Sequence, residues 1–366
     1  MREIQKKYQE GSFLQRRQMV IRDSLINKLK IFSTILASVF KSSFLGYTGF
    51  LLAYFIDQKN TILLKRLYFA VFVFTFALFL LLINSIYYPF GVEAYSRTLI
   101  VWLMSIFFYI LNTKGLKAED FYLILKIIFI LTFLEFILIN YTSLSFFEED
   151  RARAKFFGFI RANGLLHNSS MTSALAVSLM YKTLVDFGLK LIPITITLFT
   201  IILLSSGLGI ALFTFFLGLY FFVYFRRYTL ITLPIFAILF LLIFGSDYNS
   251  IHPKFDPAYI SFLIDGKIKL LEEFIFEESL ISVLLGKSGL ENNVLTSGDF
   301  GFSVMLLGMG IIPTLFILFF WFFLLYKSAL NRNFFPSLIL LLSLAHYPAI
   351  IDPLAAMVFV QYAYKE

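Results

Sequence analysis

The sequence predicts an all-α polytopic membrane protein of about twelve transmembrane helices, with both termini in the cytoplasm. Three observations lead there: an excess of apolar residues, apolar runs of bilayer length, and a one-sided distribution of basic residues. Of 366 residues, 59% are hydrophobic and only 15% charged, with a mean hydropathy of +0.84. A soluble domain carries roughly 25% charged and 45–50% apolar residues, so this inventory cannot build a water-facing surface.

A membrane helix needs about 20 predominantly apolar residues. Runs of that kind occupy 67–87, 98–112, 121–141, 168–186, 190–205, 208–225, 228–244, 301–326 and 334–347. Residues 25–56 are too long for one span and are interrupted by Lys41-Ser42-Ser43, which predicts a hairpin of two short helices. Residues 348–364, after Pro348, supply the twelfth span. With the N-terminus inside, the cytoplasmic segments hold twenty Lys/Arg and the short external turns only Lys41 and Arg97. That is the positive-inside bias.

Residues 1–30 are expected to be a basic cytoplasmic extension, with eight Lys/Arg against three acids and no signal-peptide core. Residues 31–366 then form a single transmembrane domain. The absence of cysteine excludes disulfides and thiolate metal sites.

Two long connections fall outside, 142–167 and 245–300. The first carries Arg151, Arg153, Lys155 and Arg161 against three acids, and the second four lysines against nine acids. Within the second, residues 258–280 alternate apolar and charged positions at helical spacing, which predicts an amphipathic helix lying in the external interface. Inside the spans, Lys126 lies close enough to the cytoplasmic end to snorkel. Glu135 sits deeper, where a carboxylate calls for a cavity or a partner.

The stretch RANGLLHNSS, residues 161–170, sets polar groups at the mouth of the sixth span. A cation and amide donors at a helix N-terminus make an anion site, because free N–H groups and the positive dipole end add to the arginine. The same residues also serve ordinary purposes: arginine snorkels to headgroups and Asn-Ser-Ser caps a helix. Asp299 stands at the start of the tenth span between Gly298 and Gly301. It fits a general base or a simple cap. His167 is the second candidate base, with an ordinary pKa of about 6.5.

RANGLLHNSSMTSALA resembles the signature of the bacterial O-antigen polymerase/ligase superfamily, in which an arginine and a glycine precede a helix opened by asparagine. Three further stretches resemble it in the same order: LLSSGLGIALFTFFLGLYF (203–221), IDGKIKLLEEFIFEESLISVLLGKSG (264–289) and SGDFGFSVMLLGMGIIPTLFILFFW (297–321). Two departures stand out. No arginine follows Ser206, where Leu208 comes after Gly207, and Lys267 occupies a usual arginine position. Polymerases of the Wzy type are also described by arginine, ten residues and glycine in each external loop. Arg153 to Gly164 matches in the first loop, and Lys287 to Gly298 has the spacing with lysine in the second.

The resemblance implies a membrane-embedded, cofactor-free and metal-independent glycosyltransferase of the bacterial inner membrane. It would join undecaprenyl-diphosphate-linked repeat units into O-antigen or a related surface polysaccharide by inverting transfer at the outer face. Its partners would be lipid-linked glycans, membrane lipid, a chain-length regulator and a flippase, with no nucleic acid. Arg161 and Asn168, assisted by Arg153, Lys267 and Lys287, would hold diphosphate or glycan, and Asp299 or His167 would take the acceptor proton. An O-antigen ligase is the nearest alternative, but that family shows a histidine near the end of the long loop, and none occurs here between 253 and 345. A lipid-linked oligosaccharide flippase is the other. It would be expected to place charges along the spans, whereas here they concentrate in the external loops.

Overall fold

A computed structural model of the chain describes residues 22–57, 64–87, 92–112, 114–142, 155–156, 159–225, scattered positions between 261 and 276, 279–286 and 301–364. The described residues are almost wholly helical. Helix α1 spans residues 22–39, and Lys41 (φ 50°) turns the chain into α2, Ser43–Ile56. The hairpin expected within 25–56 is therefore present. Then come α3 (Leu64–Tyr87), α4 (Val92–Leu111) and α5 (Ala118–Thr142). Helix α4 starts earlier than the apolar run at 98, because Glu93 and Arg97 pair one turn apart on its exposed face.

A minimal antiparallel pair, β1 (Lys155–Phe156) with β2 (Phe159–Ile160), precedes α6 (Ser169–Phe187). Helices α7 (Leu191–Leu204) and α8 (Gly207–Tyr224) follow, joined by Ser205 in the left-handed region (φ 48°) and Ser206, whose hydroxyl caps α8. Further along come α9 (Leu280–Leu285), α10 (Gly301–Met309), α11 (Ile311–Leu330), α12 (Phe334–Leu342) and α13 (Pro353–Tyr362). The described positions between 261 and 276 are helical and exposed, including Ile268 and Ile275.

Four of these helices, Arg66–Tyr87, Ala118–Thr142, Gly207–Tyr224 and Ile311–Leu330, are each long and apolar enough to cross a membrane. Their outward faces are apolar: Phe72, Phe79 and Leu82 on α3 and Phe319 and Phe322 on α11 are exposed. This reversal of the soluble pattern is that of a helical membrane protein.

Three expected spans differ in detail. The run 301–326 is not one helix but breaks at Gly310, whose φ of 79° ends α10 and starts α11. The run 334–347 stops being α-helical at Leu342 and continues as a 3-10 turn, Ser343–Ala345. Between 348 and 364 only Pro353–Tyr362 is α-helical, opened by the Asp352 cap with proline at the first position. The cause is visible in the last of these. Helices enclosed by protein need not match the bilayer thickness, and every residue of α13 is buried.

Helix α6 is the hub. All residues from Ser169 to Leu184 are buried, and α5, α7, α8 and α12 surround it. Because lipid is as apolar as a leucine side chain, close packing and internal hydrogen bonds must hold such a helix. Its small residues provide both. A Cβ on Gly209 of α8 would lie 2.6 Å from that of Ser173. The Ser178 hydroxyl donates to the Pro336 carbonyl of α12 at 2.8 Å, with Tyr362 at 2.9 Å on its other side.

Helix ends meet in up-and-down order. The C-termini of α1, α5 and α7 gather with the N-termini of α6 and α13, while the N-termini of α1, α3 and α5 gather with the C-termini of α4 and α13. At this second end Lys30 is fully buried, donating to Asn112 Oδ1 (2.7 Å) and the Lys114 carbonyl (3.2 Å), and Gln361 shares the same Asn112 oxygen (2.9 Å). Lys126 is exposed, with its ammonium 4.0 Å from the Tyr122 ring, in keeping with a snorkelling lysine.

The glycine break yields a test. A Cβ on Gly310 would lie 2.2 Å from the Gly286 backbone nitrogen, whereas one on Gly188, at a similar φ, meets nothing within 4 Å. Gly310→Ala is expected to cost about 3 kcal/mol or more and Gly188→Ala only about 1 kcal/mol in detergent unfolding. Equal losses would show that backbone conformation alone, not the α9 contact, sets the requirement.

Candidate functional site

The polar stretch 160–170 is pinned from several sides. Asn140 of α5 brackets Ile160, its Nδ2 donating to the Ile160 carbonyl (2.8 Å) and its Oδ1 accepting from the Ile160 N–H (2.7 Å). The Ala162 N–H donates to the Leu203 carbonyl at the end of α7 (3.1 Å). Glu135 then supplies the main anchor. Its buried carboxylate accepts from the Asn163 N–H (3.1 and 3.2 Å) and the Gly164 N–H (2.7 Å). A buried carboxylate needs such donors, and successive backbone N–H groups form a natural anion cradle.

Gly164 is obligatory for that turn. Its φ is +75°, and a Cβ there would lie 2.7 Å from Thr172 Cγ2 and 2.9 Å from Leu204. The Thr172 hydroxyl closes the turn from the α6 side, donating to the Asn163 carbonyl (3.3 Å) and accepting from the Leu166 N–H (3.2 Å). Asn168 starts α6 by accepting from the N–H groups of Ser170 (2.9 Å) and Met171 (3.2 Å). Its Oδ1 is thus committed to capping, and its Nδ2 is the atom left to meet a ligand.

His167, with a left-handed backbone (φ 54°), reaches across to α1. Its Nε2 donates to the carbonyls of Ser38 (2.9 Å) and Val39 (3.2 Å), so Nε2 carries the proton in the neutral ring. Burial lowers its pKa below 6.5. The Ser38 carbonyl opposes that shift, and the Lys41 charge reinforces it. Ser38 extends the network, its hydroxyl donating to the buried Asp352 carboxylate at 2.6 Å. The same carboxylate oxygen accepts from the Leu354 N–H at 2.8 Å and caps α13.

Arg161 is the exception in this pinned segment. It is half-buried, and its Nε has no hydrogen-bond acceptor among the described residues. The structure therefore fixes the backbone on both sides of a guanidinium whose Nε is left without an acceptor among the described residues. It brings Arg161, His167 and Asn168 together at one end of the bundle. Asp299, Arg153, Lys267 and Lys287 lie outside the described residues.

Ser38 and Asp352 were not singled out in the sequence. Asp352-Pro353 is a recognisable helix-start pair, but nothing near it indicates a partner 314 residues away. Glu135 was noticed without its partner, which is backbone and so leaves no side-chain signature. The chain matches no protein-family model, no curated protein and no solved structure.

Two measurements test these roles. Glu135→Leu leaves two buried N–H groups unsatisfied and is expected to destabilise by about 2–5 kcal/mol in detergent unfolding. Glu135→Gln, which keeps one carbonyl acceptor, should lose less than half of that. For His167, folding holds the ring neutral, so the native state binds fewer protons than the unfolded one below the ordinary pKa. Stability contributed by the neutral ring is present at pH 7.5 and is lost as pH falls through about 6.5. The wild-type Tm should therefore drop further between pH 7.5 and 5 than that of His167→Gln.

Proposed function

We propose that the chain is a repeat-unit polymerase of the bacterial inner membrane, with about twelve spans and the 160–170 segment on the external face. The observation that carries this reading is Arg161, whose Nε has no acceptor among the described residues, on a backbone pinned by Glu135, Asn140 and Leu203. An arginine on a fixed backbone suits a diphosphate, which its planar fork can bind through two oxygens. The family resemblance of the same ten residues supplies the class of substrate.

In this reading the acceptor sugar hydroxyl attacks the anomeric carbon of the donor glycan as the bond to undecaprenyl diphosphate breaks. Arg161 and Asn168 Nδ2, assisted by Arg153, Lys267 and Lys287, stabilise the negative charge gathering on the departing diphosphate. Asp299 takes the hydroxyl proton. His167 belongs to the frame: both Nε2 contacts are to backbone carbonyls of α1, so the ring ties the first hairpin to the start of α6. No metal enters the scheme.

Deletion of the gene in its host, followed by surface-glycan electrophoresis, separates the three activities. Loss of a polymerase leaves core bearing a single repeat unit. Loss of a ligase leaves bare core, and loss of a flippase removes even the single unit. Arg161→Ala and Asp299→Ala should each reproduce the single-unit pattern at wild-type membrane abundance, with Arg161→Lys retaining partial chain length. Normal long chains in Arg161→Ala would remove that residue from the site.

A further inference from the structure

At the opposite end of the bundle α3, α4 and α11 enclose a groove of about 350 Å³. Its walls are aromatic: Phe69 stacks on Phe320 at 5.8 Å, and Tyr109 packs edge-on against Phe320 (5.6 Å) and Phe323 (5.8 Å). Phe316 closes the deeper part, and Phe319 stands at the outer lip, 78% exposed. Among the described residues its polar lining is Arg66 and Tyr109, and two cations approach the Tyr109 ring. The Arg66 guanidinium carbon lies 5.4 Å from the Tyr109 ring centre and the Lys327 ammonium 5.0 Å from it. Lys327 also donates to the Tyr109 hydroxyl (2.7 Å), and Arg66 to the Asn112 carbonyl (2.6 Å).

Neither cation has a carboxylate within ion-pair distance among the described residues. Both partners named above are neutral oxygens, so among the described residues neither charge is balanced, and Arg66 lines the apolar slot while Lys327 shares its Tyr109 wall. The complement is a molecule with an anion at one end and a hydrocarbon chain at the other. We infer that this groove is a binding site for an anionic phospholipid, whose acyl chain lies along the Phe316–Phe323 face and whose phosphate sits between Arg66 and Lys327. Basic pockets between membrane helices select anionic headgroups through the same balance of charges. The site is independent of the polymerase reading, since it shares no residue with the Arg161 segment.

The chain's own segments fit less well. Residues 1–21 carry five Lys/Arg against two acids, the same sign as the groove mouth. Glu366 is an acid two positions beyond Tyr364, whose ring flanks Arg66 at 5.6 Å. The experiment therefore includes it.

Purified full-length protein in dodecyl maltoside is titrated with phosphatidylglycerol and phosphatidylcholine of matched acyl chains, and bound lipid is read by native mass spectrometry. Wild type should prefer phosphatidylglycerol about fivefold for each cation engaged. Arg66→Gln/Lys327→Gln should bind the two lipids equally while remaining monodisperse, and Arg66→Lys should keep the preference. Glycerol phosphate at the same concentration should not displace the lipid, because it lacks the chain that fills the groove. Equal binding by wild type, a preference that survives in the double variant, or displacement by glycerol phosphate each overturns the site. So does a preference that emerges only in Glu366→Gln, which would mark the mouth as already filled by the chain itself.

Discussion

The bond pattern around Glu135 governs how this chain is organised. A carboxylate well inside a helix of 25 apolar-rich residues has no water to turn to, and it takes the two N–H groups of Asn163 and Gly164. That fixes the turn and the left-handed Gly164. It also sets the direction from which the chain reaches Asn168 to begin α6. Since α5, α7, α8 and α12 all pack on α6, one buried acid and a two-residue piece of backbone place the centre of the bundle. Thr172 and Leu203 tie the same turn to α6 and α7, so the constraint is shared by three helices.

The two ends of the bundle use polar groups differently. At the Glu135 end the acceptors are carboxylates and carbonyls, and their donors are mainly backbone N–H groups and small hydroxyls. Arg161 is left over there. At the other end Lys30 is enclosed by amide and carbonyl oxygens, and Arg66 and Lys327 rest on aromatic rings. Charge is thus held in place at both ends, but at the first it faces a fixed backbone turn and at the second an apolar slot.

Local chemistry was readable in the sequence, and long-range closure was not. Asn168 with two following serines marks a helix start, and the structure places the cap there. Lys41 between two apolar runs marks a turn because a lysine at mid-membrane is costly, and the chain turns there. The break at Gly310 escaped because a hydropathy window averages across a single glycine, and only the positive φ separates the two helices. The shortness of α13 escaped for a related reason: apolar runs are read as if lipid surrounded them, whereas this helix is enclosed by protein. Ser38 with Asp352 and Glu135 with Asn163 depend on three-dimensional closeness that no spacing encodes. Of the site itself, Arg161, His167 and Asn168 were legible as a cluster because they are neighbours in sequence.

Helix α13 carries a consequence for how the protein is made. It is synthesised after every helix it touches, yet its ten residues fill the space between α2, α4, α11 and α12. Until it arrives, Phe121 lacks the Tyr362 ring it stacks on, and Ser38 lacks the Asp352 carboxylate. Earlier helices lack these contacts until it is made. A chain truncated before residue 353 therefore loses the closing contacts of the bundle, which sequence order places last.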